Sequence, residues 1–196
     1  MTDYFALLDQ PRRPWLDPEE LKQAFHRKSL RTHPDSRAEK EGASAAGQEF
    51  TQLNEAYQVL QDPKRRLQHL LELEGTTPVA RSTAVPPDIE QLFPAVAALT
   101  QQAHSLVDRD AKATNPLSRS LIKPQLLQVQ KALAETLAIL QSRHAAAVAR
   151  LQQLASVWEQ ARLTSSAELR DLYLRFSYLS RWITELQEKQ VQLSAL

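Results

Sequence analysis

The chain has 196 residues, enough for one large domain or two small ones, and its 24 Lys plus Arg nearly cancel its 23 Asp plus Glu. That balance leaves no long-range field to hold it on nucleic acid or an anionic membrane, although local patches can still form. The lack of Cys excludes disulfides, thiolate metal sites and cysteine nucleophiles, and 3 Gly in a background rich in Leu, Ala, Gln, Glu, Lys and Arg predicts an all-α fold.

Residues 3 to 9 form a short apolar helix candidate, and Gln10-Pro11-Arg12-Arg13-Pro14 interrupts it with two prolines. Asp17 reads as an N-cap, Pro18 as the first helical residue and Glu20 as the end of a capping box. The helix they open runs to about Arg31, with Leu21, Phe25 and Ser29 on one face and Arg27, Lys28 and Arg31 largely on others. His33-Pro34-Asp35 ends it, because the residue before a proline is driven out of helical geometry. After a polar loop, a helix over about 46 to 61 carries Phe50, Leu53, Tyr57 and Leu60 at gaps of three and four. Asp62-Pro63 starts another, with Leu67, Leu70 and Leu71 as its apolar side and Gly75 as a C-cap.

The stretch from Gly75 to Pro87 has linker composition, so the predicted division is 1–75, a linker at 76–87, and 88–196. Residues 88 to 106 read as a helix perturbed by Pro94, Asp108 to Ser120 as a polar loop, and 124 to 162 as a long helix. Thr164-Ser165-Ser166 is a turn and cap. The last helix carries Leu169, Leu172, Phe176, Leu179, Ile183 and Leu186 in a heptad-like series. A C-terminal three-helix bundle is expected. The first eight residues lack a basic stretch leading into an apolar core, and no run of about 18 apolar residues occurs. Neither a signal peptide nor a membrane span is expected, and the predicted location is cytoplasmic.

Three consecutive elements resemble the J-domain (DnaJ-like) co-chaperones. They are Asp3-Tyr4-Phe5-Ala6-Leu7-Leu8; the run from Ala24 through His33-Pro34-Asp35; and the run from Phe50 to Leu60, followed by Asp62-Pro63 and Arg65-Arg66. Thr32 stands where that family often has an aromatic residue. The resemblance implies an antiparallel helical hairpin with short flanking helices, whose loop docks on a 70 kDa heat-shock chaperone (DnaK/HscA type) and raises its ATPase rate. Carried over residue by residue, the chaperone-binding set is His33, Pro34, Asp35, Arg27, Lys28 and Arg31. Cations on one helix speed encounter with an acidic surface, and Asp35 can accept charge-assisted hydrogen bonds. The cluster is a local patch, since residues 1–75 hold 11 Lys plus Arg against 13 Asp plus Glu.

The layout most resembles the HscB type, which assists iron–sulfur cluster assembly: a J-domain at the start, a lengthened first loop, then a helical domain. That resemblance implies an iron–sulfur scaffold protein (IscU type) as client, with Ile89, Leu92 and Phe176 as client-binding candidates. In the matching helix, carboxylates of the family are replaced by Ala97, Ala98 and Thr100.

Blander readings compete. Apolar residues at helical spacing, such as Ile89, Leu92 and Phe176, are more often core than contact, and Trp15, Trp158 and Trp182 read as packing residues. The five His include no pair with metal-ligand spacing on one face, so neither metal nor cofactor is expected. No nucleophile–base pair or phosphate loop is visible, so the chain is not expected to be an enzyme. Two alternatives stay open: a J-domain co-chaperone with a different client, and an oligomerising helical protein built on the Leu172–Leu186 seam.

Overall fold

The computed structural model describes residues 2–32, 43–75, 84–161 and 165–196. Every regular element among the described residues is α-helical: α1 (Tyr4–Leu7), α2 (Pro18–Thr32), α3 (Ala43–Gln61), α4 (Pro63–Leu73), α5 (Pro87–Glu90), α6 (Phe93–Lys112), α7 (Pro116–Ala161) and α8 (Ser166–Ser194). The chain divides into two compact units, one of Met1–Thr83 with Val148–Tyr173 and one of Ala84–Ala147 with Leu174–Leu196. The ends of α7 and α8 therefore cluster with the N-terminal helices.

In the first unit polar side chains set the helix starts. The Asp3 carboxylate accepts from the amides of Phe5 and Ala6 at 3.0 and 3.2 Å. Asp17 accepts from Glu19 and Glu20 at 2.9 and 3.1 Å. Asp62 accepts from Arg65 at 2.8 Å, with Pro63 at the first helical position. Helix α4 ends at Gly75, whose φ of 67° lies in the left-handed region that only glycine enters without strain. Asp9 takes a similar φ of 51° just past α1, where the chain turns toward the proline-rich segment.

Helix α3 packs against α1, α2 and α4. Phe5, Leu8, Leu21, Leu53 and Leu60 are fully buried there, while Phe25 and Tyr57 are half-buried and stack at 4.6 Å. Each such burial stabilises by roughly 1.5–3 kcal/mol before conformational entropy is set against it. From the long helices, Leu151, Trp158, Leu169 and Leu172 are buried in the same unit, and Arg150 is bonded to Glu168.

Two polar groups are sealed into this unit. Arg66, 4% exposed, donates to the carbonyls of Pro14 at 2.9 Å and Leu60 at 2.6 Å, tying the first loop to the α3–α4 corner. Burial pulls its pKa down to about 10, with Asp62 opposing, so it stays charged at neutral pH. His69, also 4% exposed, accepts from the Tyr4 amide through Nε2 at 3.1 Å and stacks on Tyr4 and Phe5.

The second unit is held by a longer apolar stripe: Ile89, Val96, Leu106, Val129, Leu133, Leu140, Leu179 and Leu186 are all buried. Asp88 staples α5 to its neighbours, accepting from Arg175 at 2.6 Å and Arg143 at 3.2 Å. Two expectations change here. The predicted loop from Asp108 to Ser120 is helix except around residues 113–115, because α6 continues to Lys112 and α7 starts at Pro116. Asn115 caps α7 by accepting from the Ser118 amide at 2.8 Å, the same device as Asp17-Pro18. Pro124, expected near the start of the long helix, lies inside it. The helix carries on because Ile122 and Val129, flanking the proline, are buried at 6% and 3% exposure.

Candidate functional site

The His33-Pro34-Asp35 tripeptide lies outside the described residues. The helix that leads into it is described, and its faces are distinct. Leu21 and Ala24 point to the core, and Phe25 and Ser29 are half-buried. Arg27 and Arg31 are exposed, as are Lys22 and His26. Leu30 is 75% exposed beside them. The outward side of α2 is thus an apolar knob set among cations. The helical period puts position 30 opposite Leu21, so this knob is legible from spacing alone.

Lys28 behaves differently from its neighbours. Its side chain is 26% exposed and reaches Asp9 at 2.8 Å, pinning α2 to the residue that ends α1. A surface pair of this kind contributes under about 1 kcal/mol. It does place the ammonium toward α1 rather than beside Arg27 and Arg31.

At the amino end of the same unit, Asp3 is held by Arg12 at 2.6 Å. Burial pushes the Asp3 carboxyl up, but the Arg12 bond and the Ala6 and Phe5 amides outweigh it, so its pKa falls below the usual value. Burial lowers the pKa of His69, opposed by the charges of Asp3 and Glu72 and assisted by that of Arg12. A neutral imidazole is what the Tyr4 amide requires as acceptor.

In the second unit a groove of about 700 Å³ runs between α6 and α8, lined among others by Phe93, Val96, Thr100, Arg181, Trp182 and Glu185. Phe93 meets Trp182 edge-on at 4.9 Å, and Arg181 lies 5.8 Å from the Tyr178 ring centroid. Thr100 donates to Glu185 at 3.1 Å. Of the client-binding candidates, Ile89 and Phe176 are wholly buried and Leu92 is half-buried against the core. Their three-and-four spacing marked them as core, and the walls of the groove come from Phe93 and Trp182 instead. The heptad seam is likewise filled from within the chain, with Leu172, Phe176, Leu179 and Leu186 at 3% exposure or less. Among the described residues no helix is long and apolar enough to cross a membrane.

Comparison with known proteins agrees with both halves. The DnaJ domain family matches residues 3–69. The chaperone protein DnaJ of Campylobacter hominis is 41% identical over 66 residues, which cover 34% of this chain and only 17% of that protein. The co-chaperone protein HscB homolog of Bordetella pertussis is 32% identical over 138 residues, 69% of this chain and 76% of the relative. Among solved structures, chaperone HscB from Vibrio cholerae superposes with a TM-score of 0.55 at 21% identity, over 98% of this chain and 99% of that one. Human co-chaperone protein HscB gives 0.55 at 18% identity, over 97% and 83%. These two show a shared fold that extends through the C-terminal helices. With a DnaJ domain at its start and a relative matched along most of its length, the chain belongs to the HscB co-chaperone family.

Proposed function

We propose that this co-chaperone stimulates ATP hydrolysis by a heat-shock chaperone of the DnaK/HscA type in the cytoplasm and delivers to it an iron–sulfur scaffold protein of the IscU type. His33, Pro34 and Asp35 act at the chaperone's nucleotide-coupled surface, with Arg27 and Arg31 steering the encounter and Leu30 filling an apolar contact. Lys28 supports the face from its bond to Asp9. One observation carries the reading: α2 turns two arginines and a 75% exposed leucine outward at the end that leads directly into His33-Pro34-Asp35. An exposed leucine between cations contributes nothing to folding and suits docking on an acidic surface with an apolar pocket.

Client capture is assigned to Leu92 and the Phe93–Trp182 groove, with Ile89 and Phe176 shaping it from within the core. Of the positions where carboxylates of the family are replaced, Ala97 and Thr100 line the groove, so the matching scaffold surface needs fewer cations there. The test is steady-state ATP turnover by the chaperone with and without the purified protein. Stimulation that disappears in His33→Gln supports the reading; an unchanged rate with the wild-type protein refutes it. Scaffold binding is read separately by calorimetry, where Phe93→Ala weakens it by roughly tenfold. Equal binding by wild type and Phe93→Ala removes the groove from the account while leaving the chaperone contact intact.

A further inference from the structure

The first four turns of α7 bury one face, through Ile122 and Val129, and leave another bare. Leu117, Leu121 and Leu127 are 72%, 71% and 66% exposed. At 3.6 residues per turn these three fall with Pro124 on one outward stripe about 15 Å long. Leucines exposed singly need no explanation, but three on one short face form a patch. Pro124 also deprives the Ser120 carbonyl, on the same side, of the amide that would ordinarily bond to it.

The charge around the stripe has a single sign. Residues 111–134 contain Lys112, Arg119, Lys123 and Lys131 and no Asp or Glu. All four cations are exposed. Two of them touch carboxylates lying just outside the segment, and only at the edge of ion-pair range: Arg119 to Asp110 at 4.0 Å and Lys131 to Glu135 at 3.9 Å. Arg119 turns toward Asp110 of α6, so the cations of α7 that accompany the bare leucines are Lys123 and Lys131.

We propose that this face of α7 docks an acidic, amphipathic helix of a protein partner, whose apolar seam covers Leu117, Leu121 and Leu127 and whose carboxylates pair with Lys123 and Lys131. Size favours a helix over a bilayer. The leucines form a single row with Ser118, Ser120, Gln125 and Gln128 beside it, which suits one packed helix, whereas stable lodging in a membrane takes a broader apolar face. Sign favours an acidic partner over a second copy of the same face, since two such faces would repel. The surface shares no residue with the α2 face or the Phe93–Trp182 groove, so it is a separate contact.

The test uses the full-length protein and a dye-labelled synthetic helix with leucine at alternate third and fourth positions and glutamate elsewhere, read by fluorescence anisotropy. A sequence-matched helix with lysine in place of glutamate is the control. The acidic helix binds and the basic one does not. Leu121→Asp and Lys123→Glu each weaken binding by roughly tenfold. Ile139→Asp, on an exposed position farther along α7, leaves it unchanged. Both stripe positions are exposed, and an unaltered melting transition shows that the variants fold. Absence of binding, equal binding by wild type and Leu121→Asp, or retention on phosphatidylserine vesicles without binding of the acidic helix overturns the proposal.

Discussion

The N-terminal unit and the C-terminal bundle are held together by different means. In the first, individual polar groups position short helices: Asp3, Asp17 and Asp62 cap them, Arg66 ties down a loop and His69 holds the start of α1. In the second, a long apolar stripe does most of the work, with Asp88 between two arginines as its main polar fastening. The first design depends on a few contacts that each have one geometry. The second spreads its stability over many leucines. Short helices need their ends held in place, and directional bonds do that better than non-directional burial.

Four substitutions or conditions break or sharpen this contrast. The largest effect belongs to Arg66→Ala, which strands the Pro14 and Leu60 carbonyls and removes a buried stem; it costs about 3–4 kcal/mol in urea unfolding. Hydrogen exchange should rise first in residues 10–17 and in the corner between α3 and α4. Leu133→Ala in the bundle costs about 3 kcal/mol by cavity formation. Its signature differs: exchange rises across α6, α7 and α8 together, and the amides of residues 10–17 keep their protection. If the two variants give the same exchange pattern, the contrast between the units is wrong.

Acid acts on the first unit in two steps. The folded pKa of His69 is lowered below the ordinary 6.5, so the stability it confers is whole above that value and is lost as pH falls through the folded value. The groups that face it are Asp3, Arg12, Glu72 and the Tyr4 ring, and the carboxylates soften the effect. Asp3, also lowered, adds a second loss below about 3.8. His69→Gln keeps an acceptor for the Tyr4 amide and flattens the first step, as thermal melts between neutral and mildly acidic pH would show. The smallest effect is Lys28→Ala, under about 1 kcal/mol and salt-sensitive, because the Asp9 partner is 74% exposed.

Much of the architecture was legible because proline and aspartate mark helix starts unambiguously. Asp17-Pro18, Asp62-Pro63 and Gly75 all lie where the sequence puts them. Asn115-Pro116 uses the same grammar but sits in a polar stretch that composition alone reads as loop, which places the expected start of α7 too far along the chain. The resemblance to J-domain proteins and the helical C-terminal part both hold. The site was less legible. The resemblance groups Lys28 with Arg27 and Arg31 but does not say which local partner each side chain finds, and the Lys28 ammonium reaches Asp9. Ile89 and Phe176 are client-binding candidates by resemblance, while their helical spacing reads as core; both are wholly buried, and which neighbours bury them is what no local pattern reveals. The imidazole of His69 meets the Tyr4 amide across 65 residues of sequence, beyond the reach of any spacing rule.

Single-turnover ATP hydrolysis by the heat-shock chaperone, measured beside the wild-type protein and Asp35→Asn, tests the central claim most directly. The account predicts faster hydrolysis with the wild type, no acceleration with Asp35→Asn, and intermediate, salt-sensitive acceleration with Arg27→Ala. An Asp35→Asn protein that folds normally and still accelerates hydrolysis to the wild-type extent would contradict it.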